Sequence, residues 1–234
     1  MSRLVIWDFD GTLARPSQWS RHLLDALLEH VPDHPATIED LRPHLRGCPW
    51  HEPDRLHPEL GTPDEWWRRV ELVLANAICA MGLSRADASL IARNTHDRYV
   101  RPEGFTLFDD SMPVLAALRH AGWQQVILTN HVPEFRAIAE ALGIASAVDA
   151  IVNSAETGAE KPHEAAFQFA RSALGIAHDA AYVVGDSYAA DITGAERAGL
   201  PGILVRTDDD RAHHRASDLY AAVRLLERLS DARY

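Results

Sequence analysis

Two aspartates stand two residues apart at positions 8 and 10. They lie directly behind an apolar run, Leu4 to Trp7, and directly ahead of Gly11 and Thr12. In an extended chain, residues i and i+2 point the same way. The two carboxylates therefore converge where the run ends, and Gly11 lets the backbone turn there. Carboxylates ~5 Å apart repel by roughly 3 kcal/mol at an effective dielectric of ~20. That local cost brings no obvious folding benefit. The plain alternative is a solvated turn, in which Asp is common, and the rest of the chain has to decide between the two.

Three more polar groups stand where predicted elements end or begin. Thr129 and Asn130 end VILT, Lys161 stands before Pro162, and Asp186 follows YVVG with Asp191 five residues on. Four aspartates and one lysine sum to −3 if all are ionised. A cluster of that charge needs a cation, and hard carboxylate oxygens suit Mg²⁺. A small acidic site with a divalent cation, a lysine and a hydroxyl suits phosphoryl transfer. Composition singles out the lysine. The 23 basic residues are 22 arginines and Lys161. Arginine is a broad planar fork and lysine a compact point charge, so a crowded site beside a carboxylate and a phosphoryl oxygen accounts for the one exception.

These residues need a scaffold that brings strand ends together. Apolar runs at Leu4–Trp7, Gln124–Thr129, Ala150–Val152, Ala180–Val184 and Gly202–Val205 read as strands. Helical patterns cover Met112–Ala121, Glu134–Leu142, Glu164–Leu174, Ala189–Ala198 and Ser217–Leu229, with Pro133 expected in the first turn of the second. Strands alternating with helices of this length predict an α/β fold, a doubly wound parallel sheet with ligands at the carboxyl ends of its strands. The stretch from about Arg15 to Glu103 lacks a convincing buried strand. It carries helical patterns at Trp19–His30, Asp64–Met81 and Arg85–Arg98. It reads as an all-helical insertion over the strand ends, residues 15–103, leaving residues 1–14 and 104–234 as a Rossmann-like core.

Composition excludes several classes. Of 234 residues, 47% are hydrophobic and 24% charged, as a packed globular chain requires. A net charge of −11 disfavours nucleic acid and anionic membrane as partners. Cys48 and Cys79 show no paired spacing. With no visible targeting segment, a reducing, cytoplasmic location is the expectation. The longest apolar stretch, around Leu72–Leu83, is too short to span a bilayer.

Taken in order, DFDGTL, LTN, KP and GDSYAAD resemble the four motifs of the haloacid dehalogenase superfamily, and the insertion resembles that family's helical cap. Each motif alone is weak, but four in order are specific. The resemblance implies an α/β phosphatase acting on a small phosphorylated metabolite through an aspartyl-phosphate. Asp8 is then the nucleophile and Asp10 the general acid, later the general base. Thr129 and the backbone at Asn130 hold the phosphoryl group, and Lys161 balances the charge. Mg²⁺ is expected on Asp8, Asp186 and the carbonyl of Asp10, with Asp191 orienting a metal-bound water or Lys161. Dehalogenases lack the second aspartate, and phosphonatases need a lysine in the cap, which this insertion lacks. A phosphomutase stays open. A phospho-accepting receiver domain fits poorly, because its acidic pair is adjacent in sequence. For substrate recognition, the loop with Arg46, Trp50, His51 and Arg55 is one candidate and His131 another. Each has an alternative as a plain connecting or helix-start residue.

Overall fold

The computed structural model describes residues 2–45, 52, 55–175 and 177–231. The chain opens with β1 (Arg3–Trp7), whose last four residues are buried. β2 (Ala14–Arg15) leads out of the sheet into α1 (Trp19–His30), α2 (Ile38–Leu41), α3 (Pro63–Ala80) and α4 (Arg85–Tyr99). β3 (Thr106–Leu107) leads back. There follow α5 (Ser111–His120), β4 (Trp123–Thr129), α6 (Phe135–Ala141), β5 (Ala150–Asn153), α7 (Ser154–Thr157) and α8 (Glu164–Ser172). The chain continues through β6 (Ala180–Gly185), α9 (Thr193–Arg197), β7 (Gly202–Val205), β8 (Arg215–Ala216) and α10 (Leu219–Asp231).

Six strands form one sheet in the order β5-β4-β1-β6-β7-β8, and every pairing in it is parallel. Trp7 lies opposite Ile127 on one side and Val184 on the other, so β1, β4 and β6 end nearly level. The order reverses at β1, the point where open α/β sheets bind ligands. Side chains alternate across the sheet as the two-residue period demands. Leu4 and Ile6 join Val126, Val183 and Phe167 of α8 on one face. Val5 and Trp7 join Ile127, Tyr182, Leu115 of α5 and Leu226 of α10 on the other.

The described part of the insertion is helical, as its sequence predicts. Its helices start on side-chain caps. Thr37 accepts from Asp40 N, Thr62 from Glu65 N and Ser84 from Asp87 N, each meeting one orphan donor of a first turn. Its apolar faces, with Leu23, Leu27, Trp66, Val70, Leu74 and Ile91, pack into one body with Phe9, Leu13 and Phe105. Both Trp66 and Trp67 are buried. The exit and return of the chain are tied together, because β2 and β3 pair antiparallel, Ala14 with Leu107 and Arg15 with Thr106.

Two expectations shift in detail. Pro133 precedes α6, which starts at Phe135, in place of lying inside its first turn. The pattern read as one helix over 189–198 begins as a wide π turn, Tyr188–Ile192, before α9. Such turns often sit at functional sites, and this one carries Asp191. Among the described residues no helix is long and apolar enough to cross a membrane.

Candidate active site

β1 delivers Asp8 and then Asp10 at its carboxyl end. The chain turns at Gly11, with φ +84°, and a Cβ there would stand 2.1 Å from Asp186 Oδ2. Glycine is needed twice over, for the left-handed backbone and for the approach of Asp186. A parallel case ends β6, where a Cβ on Gly185 would meet the Asp191 carboxylate at 2.3 Å. The small residues at these strand ends let the acidic side chains close in.

Lys161 lies at the centre. Its Nζ donates to Asp8 Oδ1 at 2.5 Å and to Asp191 Oδ1 at 2.7 Å. All three side chains are buried. The second oxygen of Asp191 accepts from Ser187 N at 3.0 Å, so Asp191 is fixed at both ends. Asn130 grips Lys161 by its main chain, donating from Nδ2 to the carbonyl and accepting the N–H on Oδ1, at 3.0 and 2.8 Å. The Asn130 side chain is thus committed to positioning the lysine. Thr129 is buried at the end of β4, opposite Asn153. Asn153 in turn holds the next loop, accepting from His131 N and donating to Val132 O.

The electrostatics are those of crowded, uncompensated acid. Burial raises Asp8 above the usual carboxylate range against the pull of Lys161, and the Asp191 charge adds to the rise. Burial, then the Asp8 and Asp191 charges, raises Asp186. Asp10 is pushed to about 8, by burial first and the Asp8 charge second. Burial works against the charge of Lys161, but Asp191 and Asp8 outweigh it and hold the amine protonated.

Asp8, Asp186 and Asp191 each present an oxygen within 4.8 Å of the others, the one grouping of this kind among the described residues. Asp8 Oδ2 is buried with no hydrogen-bond partner. A hard divalent cation fits this donor set and would reverse the upward shifts of Asp8 and Asp186. The Asp10 side chain stands outside the grouping.

On the other side of Asp10 is a cavity of about 270 Å³, lined by Asp10, Ser17, Trp19, Tyr99, Asn130, His131 and Val132. His131 is buried, with Nε2 3.6 Å from Asp10 Oδ2 and ring contacts to Phe9, Tyr99, Phe105 and Phe135. Burial lowers its pKa to about 3, so the imidazole is neutral.

Arg46, Trp50 and His51 lie outside the described residues. Arg55 is exposed and paired with Glu52 and Glu59. Sequence reasoning missed Ser17, Trp19 and Tyr99, which no motif marks. It also missed Arg206, which donates to Thr12 O at 3.1 Å and to Asp110 Oδ1 at 2.5 Å, bracing the loop after Asp10. Its positive φ of 59° was the one local oddity, and a sequence does not display it.

A family model described as haloacid dehalogenase-like hydrolase matches residues 2–199. The chain is 30% identical to the phosphoglycolate phosphatase of Rhodospirillum rubrum, over 88% of this chain and 80% of that protein. It is 27% identical to the glyceraldehyde 3-phosphate phosphatase of Methanopyrus kandleri, over 88% and 84%. In fold it is similar to the magnesium-bound HAD-hydrolase YfnB of Bacillus subtilis, with a TM-score of 0.74 and 19% identity over 97% of this chain and 99% of that one.

Proposed function

Because the chain belongs to the haloacid dehalogenase-like hydrolases, we propose that it is a Mg²⁺-dependent phosphatase. It hydrolyses a small phosphate monoester through an aspartyl-phosphate on Asp8, with residues 15–103 as a cap over a core of residues 1–14 and 104–234. The observation that carries this is the asymmetry of Asp8. Lys161 ties down Oδ1 and leaves Oδ2 buried and unpartnered, as an oriented nucleophile requires.

In the first half-reaction, Asp8 Oδ2 forms a bond to phosphorus while the bond from phosphorus to the alcohol oxygen breaks. Asp10, held protonated, gives its proton to that leaving oxygen. In the second half, Asp10 takes a proton from water, the water oxygen bonds to phosphorus, and the bond from phosphorus to Asp8 breaks. Inorganic phosphate leaves and Asp8 is restored. Lys161 offsets charge on Asp8 and the phosphoryl oxygens, and the Thr129 hydroxyl with the backbone of Asn130 orients the group. Asp8, Asp186 and the Asp10 carbonyl would hold Mg²⁺, which when bound adds positive charge beside the phosphoryl oxygens. Asp191 keeps Lys161 in place. The proposed substrates are small phosphorylated metabolites, in keeping with an acidic chain, and the proposed location is the cytoplasm.

The test is phosphate release from a panel of monoesters. Activity is expected with Mg²⁺, lost with EDTA, and inhibited by Ca²⁺, whose looser coordination tolerates a wrong geometry at Asp8. Full turnover in EDTA would remove the metal from this reading.

A further inference from the structure

The cavity beyond Asp10 carries an inference about the alcohol half of the substrate, and it rests on the phosphatase reading. Asp10 protonates the leaving oxygen in that reading, so the group attached to that oxygen must lie in the space Asp10 faces. The described lining of that space is specific in kind. Asp10 is its one carboxyl group, and no arginine or lysine lines it, among the described residues. The other polar groups are the Ser17 hydroxyl, the Tyr99 hydroxyl and the His131 ring, with the Asn130 amide already committed to Lys161. Trp19 and Tyr99 form one wall, their rings stacked at 3.8 Å and 8°.

His131 is the second observation. Its side chain is fully buried, and both ring nitrogens lack a hydrogen-bond partner. Buried polar groups are normally satisfied, and this ring lies against the cavity. One nitrogen of a neutral imidazole donates and the other accepts, so the ring can pair with a hydroxyl or a carbonyl. The Ser17 hydroxyl bonds to His22 Nε2 at 2.8 Å and keeps further capacity. A carboxylate or second phosphate placed here would lose its water with no arginine or lysine in the described lining to pair with it.

We propose that this cavity is the leaving-group subsite, and that it selects phosphate esters of small uncharged alcohols bearing hydroxyl or carbonyl groups. His131, Ser17 and Tyr99 are its recognition groups and Trp19 its wall. The volume of about 270 Å³, just below the ~300–1,000 Å³ typical of ligand sites, limits the alcohol to a few carbons.

Glycerol 3-phosphate and 3-phosphoglycerate make a matched pair, differing by a CH₂OH against a carboxylate. With Mg²⁺ present, kcat/KM is expected to favour glycerol 3-phosphate by about tenfold or more, since a site's unpaired or repelled groups are what discriminate. His131→Phe and Tyr99→Phe should each shrink that preference by about three- to tenfold, the range of one neutral hydrogen bond. Equal rates, or a preference for 3-phosphoglycerate, overturn the proposal. The non-hydrolysable phosphonate isosteres of the same pair separate this from the hydrolysis reading, because their binding, followed by tryptophan fluorescence, needs no turnover. Tighter binding of the phosphonate whose alcohol half is uncharged, without hydrolysis of either ester, leaves the subsite standing and removes the phosphatase. Tighter binding of the carboxylate-bearing phosphonate, or binding of neither, overturns the subsite.

Discussion

Asp8 and Asp10 are the same residue type two positions apart, and their neighbours separate them. Asp8 is tied to Lys161, whereas Asp10 faces a cavity and is pushed to about 8 by burial and the charge of Asp8. Environments that drive two carboxylates apart divide acid from nucleophile. Asp10→Asn is expected to lower kcat on alkyl phosphates by ~10²–10⁴-fold, the usual contribution of acid–base catalysis. The loss on an aryl phosphate, whose leaving group needs no proton, should be much smaller, and a near-silent change on both would refute the acid role. Gly11→Ala acts through a neighbour. The positive φ costs roughly 1–2 kcal/mol for a residue with a side chain, and its Cβ would displace the Asp186 carboxylate. Denaturant unfolding should show the first effect, and a weaker rise of Tm with added Mg²⁺ the second. Asp8, Asp10, Lys161 and Asp186 were legible because each adjoins an apolar run or stands out in composition. Tyr99 and Ser17 were not. They reach the site from the insertion side, across a fold that no local pattern encodes.

At the scale of elements, the long buried strands were legible from their apolar runs, and the helices from their period. β2, β3 and β8 are two residues each and exist through pairing, so no periodicity announces them. A second junction between insertion and core lies beside Lys161. His57 N donates to Gly158 O at 2.7 Å, and the buried Glu160 side chain lies near Glu52 and Arg69. Burial, then the Glu52 charge, raises Glu160 from 4.5 to about 8 against the pull of Arg69. A carboxyl raised in the folded state binds a proton on folding. Its stabilising effect is complete below about pH 4.5 and is lost as pH climbs through 8. At ~1.4 kcal/mol per pH unit, this contributes at most about 5 kcal/mol. Glu160→Gln should therefore flatten the fall of stability between pH 5 and pH 9 and leave the protein more stable than the parent at pH 9. Parallel pH–stability curves for the two proteins would show that Glu160 is not buried as described.

The whole molecule is a doubly wound sheet with a helical insertion attached through a two-rung ribbon. Because Arg15 pairs with Thr106, the ends of the insertion lie side by side. Deleting about residues 16–102 and bridging the gap with a short turn should leave β1, β4 and β6 in register. It would also expose Phe9, Leu13 and Phe105, so lower stability is expected. Discrimination among phosphate esters should then collapse further than the rate on a small aryl phosphate. Unchanged relative kcat/KM values would place specificity in the core. Another whole-molecule feature is the distribution of positive charge, with 22 arginines elsewhere and the one lysine held between Asp8 and Asp191. Lysine-selective ¹⁵N labelling would thus put a single ammonium spin into the protein, at the centre of the site and free of background. Its chemical shift would follow each change in charge around Asp8 through a reaction, a native spectroscopic probe that requires no alteration of the chain.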